Sequence, residues 1–109
     1  MRIMFVGDIN LGEYYTSFGH GPKTRLIEHN ILSSVSHILK KADIVCGNLE
    51  APLTDYGLDN KNPESVVLRG RPKDVNILKG AGFSVLQVAN NHIVQHGNQG
   101  FEDTINSLI

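Results

Sequence analysis

Short apolar runs, separated by polar and glycine-containing segments, recur along this 109-residue chain. Runs rich in β-branched and aromatic residues predict strands, and the first run lacks polar alternation, which predicts a strand buried on both faces. One shorter run predicts a strand at the edge of the sheet. The three main runs are residues 2–6, 44–46 and 83–89. The edge run is residues 66–69.

Three other segments carry apolar residues at the three- and four-residue spacing of a helix face. The first begins with the cap residue Asn30 and ends near Lys41, the second begins at Pro72 and ends at Gly82, and the third covers the last residues of the chain. Residues 10–24 have no sustained period and predict a long loop. Strands and helices alternate as in right-handed βαβ units, which predicts an α/β fold with a mostly parallel sheet.

The length of the chain suits one compact domain. Three central strands, however, would leave one face or edge of a parallel sheet uncovered. We therefore expect residues 1–109 to form a single, partial domain that belongs to a larger α/β unit.

Composition excludes several classes of partner and compartment. The chain has ten Lys and Arg residues and eleven Asp and Glu residues, which give a formal net charge of −1. No broad positive field therefore favours binding to nucleic acid or to an anionic membrane surface. The one cysteine, Cys46, cannot form an internal disulfide. No apolar stretch reaches the roughly 20 residues of a membrane span, and the N-terminus lacks the pattern of a signal peptide. We expect a cytoplasmic protein with no nucleic-acid partner.

Three polar clusters come directly after predicted strands, at residues 7–10, 48–50 and 90–92. The carboxyl ends of parallel strands share one edge of a sheet, which is where open α/β sheets bind ligands. Carboxylates of Asp8 and Glu50, an amide oxygen of Asn48 or Asn91, and the imidazole of His92 form a mixed oxygen and nitrogen donor set. The pattern predicts a site for Mn²⁺, Fe, Zn²⁺ or Mg²⁺, and a bridging carboxylate would allow two ions.

Each of these residues also has a purely structural interpretation. The acids can cap turns or face solvent, the paired asparagines can adopt left-handed backbone at a strand exit, and His92 can be an ordinary half-buried histidine. His96 follows His92 by four residues, but Gly97 comes next, so we interpret His96 as a solvent-facing loop residue. Three further histidines lack a carboxylate partner at a recognisable spacing, and we expect no ligand role for them: His20, His29 and His37.

The basic stretch 69–73 has two interpretations. Its three basic residues precede a predicted helix and can orient a phosphate or carboxylate there. The alternative is a solvated turn with no ligand, which is the more common role of such stretches.

Taken in order, the motifs of this chain resemble those of the bacterial capsule synthesis CapA family. They are Val-Gly-Asp-Ile-Asn-Leu-Gly at 6–12, Asn-Leu-Glu-Ala-Pro-Leu-Thr at 48–54, Arg-Gly-Arg-Pro at 69–72, and Ala-Asn-Asn-His at 89–92 with Gly97 and Gly100 following. The likeness extends from about residue 3 to residue 105. The family is associated with poly-γ-glutamate capsule synthesis and resembles the calcineurin-like metallophosphoesterases. The resemblance implies a layered α/β/α sheet of the metallophosphatase type, with this chain as its N-terminal half.

The resemblance also implies roles for residues. In that superfamily, an aspartate of the first strand, an acid after the second strand and a later Asn-His pair bind two divalent metals. Metal ligation is thereby implied for Asp8, Glu50, Asn91 and His92, with Asn48 as a helper, and catalytic roles for Asn91 and His92. The implied reaction is hydrolysis of a phosphoester or a related anionic small molecule or polymer, and family members can act at the cell surface.

Two positions of this sequence depart from the superfamily pattern. Asn10 stands where a histidine is usual, and Gln95 stands where an aspartate is usual. The later histidine ligands of the superfamily, including a His-x-His pair, belong to a C-terminal half that these residues do not include. A hypothesis of another class is therefore a non-catalytic, truncated binding or assembly module that forms a homodimer through an open sheet edge.

Overall fold

A computed structural model describes residues 1–15, 19–25 and 30–109. Its three strands form one parallel sheet in the order β1-β2-β3, so β2 is central. This arrangement confirms the predicted α/β class and the parallel sheet. The elements in chain order are β1 Ile3–Ile9, α1 Pro22–Arg25, α2 Ser33–Leu39, β2 Ile44–Leu49, α3 Pro63–Val66, a 3-10 turn Pro72–Asp74, α4 Val75–Ala81, β3 Val85–Gln87 and α5 Gly97–Leu108.

The strands differ in length from the apolar runs. Both β1 and β2 continue through polar residues, because Asp8 still pairs with Asn48 across the two strands. In contrast, β3 pairs with β2 over Val85–Gln87 alone, whereas the prediction covered residues 83–89. Backbone pairing, and not side-chain polarity, determines where a strand ends.

The predicted edge strand at 66–69 is wrong. Val66 ends α3, and Val67 makes only an isolated bridge to Glu13. Leu68 then adopts a left-handed backbone with φ of 50°, which interrupts an extended chain. This segment is instead a buried connection that packs beside the loop following β1.

The helix predictions are confirmed with shifted boundaries. Helix α4 ends at Gly82, which takes the left-handed conformation that glycine favours at this position. Helix α2 begins at Ser33, later than expected, because Asn30 Oδ1 accepts from the backbone N–H of Leu32 at 2.9 Å and forms a turn before the helix. The predicted loop at 10–24 contains the short helix α1.

The two faces of the sheet have different surroundings. Helices α2 and α4 lie against one face, where Val45, Leu49 and Leu78 are buried in the core. On the other face Phe5 is 77% exposed and Val85 is 50% exposed. The prediction that the first strand is buried on both faces is therefore wrong. Within residues 1–15, 19–25 and 30–109, no helix covers this open face, in agreement with the expectation of an uncovered sheet.

A register shift in β1 places Asp8. The pairing of β1 with β2 is irregular between Phe5 and Asp8. Val6 packs into the core before the irregularity, and Ile9 packs into it afterwards. The side chain of Asp8 is thereby left exposed at the carboxyl end of the strand. Bulges often re-aim a side chain in this way.

In the described part of the chain, no helix has the length and apolar character to cross a membrane.

Candidate functional site

The three polar clusters meet at the carboxyl edge of the sheet, and we call Asp8, Asn48, Glu50, Asn90 and His92 the polar edge. Asn48 Nδ2 donates to Asp8 Oδ1 at 2.7 Å. Asn90 Nδ2 donates to Asn48 Oδ1 at 3.0 Å and to the carbonyl of Leu49 at 2.9 Å. These amides connect β1, β2 and the turn after β3, as the parallel topology predicts.

Glu50 and His92 face each other within the polar edge. Glu50 Oε1 lies 3.5 Å from His92 Nε2, and the two side chains are 21% and 26% exposed. The backbone of both residues is held in place, since Glu50 N donates to the carbonyl of Ile9 at 3.0 Å and His92 N donates to Asn90 Oδ1 at 3.1 Å. The pair is thus half-buried and positioned by neighbouring strands.

Gln95 orients the imidazole of His92. Gln95 Oε1 lies 3.3 Å from His92 Nδ1, while Gln95 Nε2 donates to the hydroxyl of Tyr15 at 3.1 Å. A carbonyl oxygen can only accept, so this contact places a proton on Nδ1. The neutral ring then presents the lone pair of Nε2, whereas the protonated ring donates from Nε2 to Glu50. Gln95 occupies the position where the superfamily has an aspartate, and its amide makes the type of contact that orients metal-binding histidines.

Glu50 and His92 supply the polar edge with ligand atoms of the kind that a divalent cation takes. With the ring neutral and Nδ1 protonated, the lone pairs of His92 Nε2 and Glu50 Oε1 face each other, an arrangement that a cation between them would stabilise. Carboxylate oxygen and imidazole nitrogen are ligands that Mn²⁺, Fe and Zn²⁺ accept. Among the described residues, however, no three Asp, Glu, His or Cys side chains surround one point. Asp8 belongs to a separate hydrogen-bonded pair with Asn48, and Asn91 lies beside His92, with its Nδ2 3.4 Å from Nε2.

Asn10 has a local structural role. Its Oδ1 accepts from the backbone N–H of Gly12 at 2.8 Å and closes a turn directly after β1. Gly12 in turn packs against the backbone of Arg69, and a Cβ at this position would collide with it. The residue that replaces the usual histidine therefore shapes the loop that leaves the polar edge.

Arg69 is a buried residue, and the interpretation of its stretch as a solvated turn is wrong at this position. It is only 2% exposed. Its guanidinium donates to three backbone carbonyls and one imidazole, which together we call the Arg69 network. The acceptors are the carbonyls of Ser65 at 2.7 Å, Thr54 at 3.1 Å and Tyr56 at 2.6 Å, and His96 Nδ1 at 2.9 Å.

His96 belongs to the same network, so its interpretation as a solvent-facing residue is also wrong. Because Arg69 donates to Nδ1, the proton of the neutral ring lies on Nε2, which donates to the carbonyl of Val67 at 2.8 Å. Burial, and less strongly the charge of Arg69, lowers the pKa of His96, whereas the hydrogen bond to Val67 opposes this shift. Sequence spacing gave no signal for this contact, since residues 69 and 96 are distant along the chain.

Three histidines remain besides His92 and His96. His20 and His37 are exposed. His29 lies outside the described residues.

Comparison with known proteins assigns the chain to a family. Residues 2–109 match the family described as bacterial capsule synthesis protein PGA_cap. The chain is 33% identical over 110 residues to the capsule biosynthesis protein CapA of Bacillus anthracis, covering 99% of this chain and 26% of that protein. It is 33% identical over 101 residues to the PGA biosynthesis protein CapA of Bacillus subtilis (strain 168), covering 93% of this chain and 26% of the relative. The chain therefore spans about a quarter of the length of these curated relatives.

Proposed function

Because the chain belongs to the PGA_cap family of bacterial capsule synthesis proteins, we propose that it serves capsule or poly-γ-glutamate biosynthesis and carries part of a phosphoesterase-type metal site. The relatives' names support the first part of this proposal. The observation that supports the second part is the 3.5 Å approach of Glu50 Oε1 to His92 Nε2, at the same sheet edge as the hydrogen-bonded pair Asp8 and Asn48. The substrate class that fits such a site is a phosphoester or a related anionic small molecule or polymer.

Each residue of the proposed site has a distinct task. A divalent cation, when bound, would activate water and neutralise charge on a phosphoryl oxygen. Glu50 and His92 would hold this cation, and Asp8, whose carboxylate accepts from Asn48 at 2.7 Å, would add a further carboxylate at the same sheet edge. Gln95 fixes the His92 ring. Asn91, exposed beside His92, offers an amide that can donate to a substrate oxygen.

The open face of the sheet supports a proposal about the domain. We propose that residues 1–109 form the N-terminal part of a larger, layered metallophosphatase-like domain. The exposed side chains of Ile3, Phe5 and Val85 form an apolar surface on one face of the sheet, and such a surface favours coverage by further chain. In this arrangement the open face and the polar edge would both contribute to the interior of the complete domain.

Metal content tests the proposed site directly. The 109-residue chain is incubated with Mn²⁺, desalted and measured by elemental analysis, and it is then assayed with a generic aryl phosphate. We expect retained Mn²⁺ in the parent chain and none in Asp8→Ala or Glu50→Ala, with full retention in the control Glu102→Ala, whose exposed acid lies on α5. Unchanged metal content in Asp8→Ala and Glu50→Ala would rule out the assignment of these ligands.

A second function, a non-catalytic assembly module, is favoured by a different observation. Both β1 and β3 are edge strands, and Phe5 is 77% exposed on the open face. Open edges and exposed apolar side chains promote association with a second copy. Light scattering in the presence of a chelator tests this hypothesis: a metal-free dimer that Phe5→Ser converts to a monomer supports it, and a monomer contradicts it.

A further inference from the structure

A second group of charged side chains lies outside both the polar edge and the Arg69 network. It lines a cavity of about 550 Å³ next to α1 and the turn at 71–74. Its lining includes three cationic side chains, Lys23, Arg71 and Lys73, and one carboxylate, Asp55. The cavity is thus concave and has an excess of positive charge.

The ammonium group of Lys23 is the least expected feature of this cavity. Lys23 Nζ is buried and has no hydrogen-bond partner within residues 1–15, 19–25 and 30–109. Burial lowers the pKa of Lys23, as do the positive charges of Arg71 and Arg69, and Asp55 and Asp74 oppose this shift less strongly. A buried, unpaired cation is costly for folding. The stability of this chain therefore does not explain a lysine at this position.

The nearby carboxylate of Asp74 is engaged with the backbone. Asp74 Oδ2 accepts from the N–H of Arg71 at 2.9 Å, and the N–H of Asp74 donates to the carbonyl of Arg71 at 2.9 Å. This reciprocal pair, with Pro72 between its members, fixes the turn that carries Arg71 and Lys73. The cationic side chains are consequently presented by a rigid segment, which reduces the entropy cost of binding a ligand.

We propose that this cavity binds an oxyanion, a phosphate or carboxylate group, between Lys23 and Arg71, with Lys73 at its exposed rim. A guanidinium donates two parallel hydrogen bonds to such a group, and an ammonium supplies a compact positive charge. A bound anion gives Lys23 Nζ the partner that it lacks among the described residues. This site needs no cation at the polar edge, so it stands independently of the proposed hydrolytic function.

Titration with inorganic phosphate, followed by amide chemical shifts in two-dimensional NMR, tests the proposal. The chain is first stripped of metal with EDTA and then desalted into metal-free buffer, so that a failure of the metal site cannot affect the result. We expect saturable shifts at the amides of Lys23, Asp55, Arg71 and Lys73. A parallel titration with acetate distinguishes the two sources of the oxyanion, since a carboxylate site responds to acetate and a phosphate site responds to phosphate alone.

Matched charge variants separate a built site from general attraction. Lys23→Gln and Arg71→Gln each should weaken binding by about tenfold, as expected when one charged hydrogen-bonding partner is lost. Lys61→Gln removes the same charge from an exposed loop residue and should leave the affinity unchanged. The proposal is overturned if neither anion produces saturable shifts around the cavity, or if Lys61→Gln weakens binding as much as Lys23→Gln.

Stability provides an independent measurement. Replacement of the buried ammonium by an apolar side chain of similar length, Lys23→Met, should raise the thermal midpoint of the anion-free chain, because an uncompensated charge is removed. Phosphate should raise the midpoint of the parent chain by more than that of Lys23→Met, which binds the anion more weakly. A Lys23→Met variant that is less stable than the parent without phosphate would show that the ammonium serves folding, and would contradict the proposal.

Discussion

The polar edge and the Arg69 network are both built from polar side chains that chain topology brings together, yet they differ in how their hydrogen-bonding capacity is used. In the network, the guanidinium of Arg69 donates to four acceptors and is 2% exposed. At the polar edge, Glu50 and His92 are half-buried, and Glu50 Oε1 lies 3.5 Å from His92 Nε2. The hydrogen bonds of the Arg69 network are made within the protein, whereas the polar edge leaves side-chain donor and acceptor atoms partly exposed.

This difference indicates what each region contributes. The Arg69 network joins the segment 54–65 to the turn that carries His96, so we assign it to stability. The polar edge leaves the carboxylate of Glu50 and the imidazole of His92 partly exposed, and we propose that it binds a ligand. Substitutions should therefore affect folding at the network and binding at the edge.

The largest effect should come from breaking the network. Arg69→Leu leaves the buried carbonyl of Thr54 and the partly buried carbonyl of Tyr56 without their donor, which should cost about 3 kcal/mol or more of unfolding free energy. Urea denaturation followed by circular dichroism measures this loss. The control Arg25→Leu removes an exposed arginine of α1 and should change stability by less than about 0.5 kcal/mol. Equal effects of the two variants would refute the assignment of the network to stability.

The next largest loss of stability should come from Gly12, in the loop that links the polar edge to the Arg69 network. Gly12 packs directly on the backbone of Arg69, and a methyl group there has no space. Gly12→Ala should therefore cost about 1–3 kcal/mol, as overpacking does. Gly7→Ala adds the same methyl group where nothing lies within 4 Å, and its thermal midpoint should stay close to that of the parent. A tolerated Gly12→Ala would mean that the loop moves independently of the network.

Acid should weaken the network through His96. Its pKa in the folded chain is lowered by burial and by Arg69, so the unfolded chain binds the proton more readily. This stability is fully present above the unfolded pKa of about 6.5 and is lost as the pH falls from there towards the lower, folded pKa. Denaturation curves between neutral and mildly acidic pH should show this loss in the parent and a smaller loss in His96→Gln. The exposed His37→Gln serves as the control, and identical pH dependence in His96→Gln and the parent would contradict the account.

The smallest effect on folding should come from the polar edge. Glu50→Gln keeps the shape of the side chain and removes a half-exposed charge, so we expect a change within about 0.5 kcal/mol in metal-free buffer. Mn²⁺ should raise the thermal midpoint of the parent and not that of Glu50→Gln. A large loss of stability without metal would place Glu50 among the structural residues.

The polar edge could be predicted because it follows from chain order. Each polar cluster comes after an apolar run, and parallel strands align their carboxyl ends. The exact strand ends could not be predicted, since Asp8 and Asn48 continue the backbone pairing although their side chains are polar. The open face was expected in general terms, but an apolar run such as residues 3–6 does not indicate which of its side chains face the core.

The Arg69 network could not be predicted from local patterns. Three of its acceptors are backbone carbonyls. Because every residue has a carbonyl, no sequence pattern indicates which carbonyls accept from Arg69. The side chain that accepts from it, His96, lies 27 residues away. The buried ammonium of Lys23 was missed for a related reason, because α1 falls within a segment that has no sustained period.

The most direct test of the contrast between the two regions is a titration of the 109-residue chain with Mn²⁺, observed through paramagnetic broadening of backbone amide signals. The account predicts early, selective broadening at Asp8, Asn48, Glu50 and His92, with the signals of Thr54 and Arg69 retained until excess metal is added. Broadening that is uniform along the chain, or that is unchanged in the double variant Asp8→Ala with Glu50→Ala, would contradict the central claim that the polar edge is a cation site.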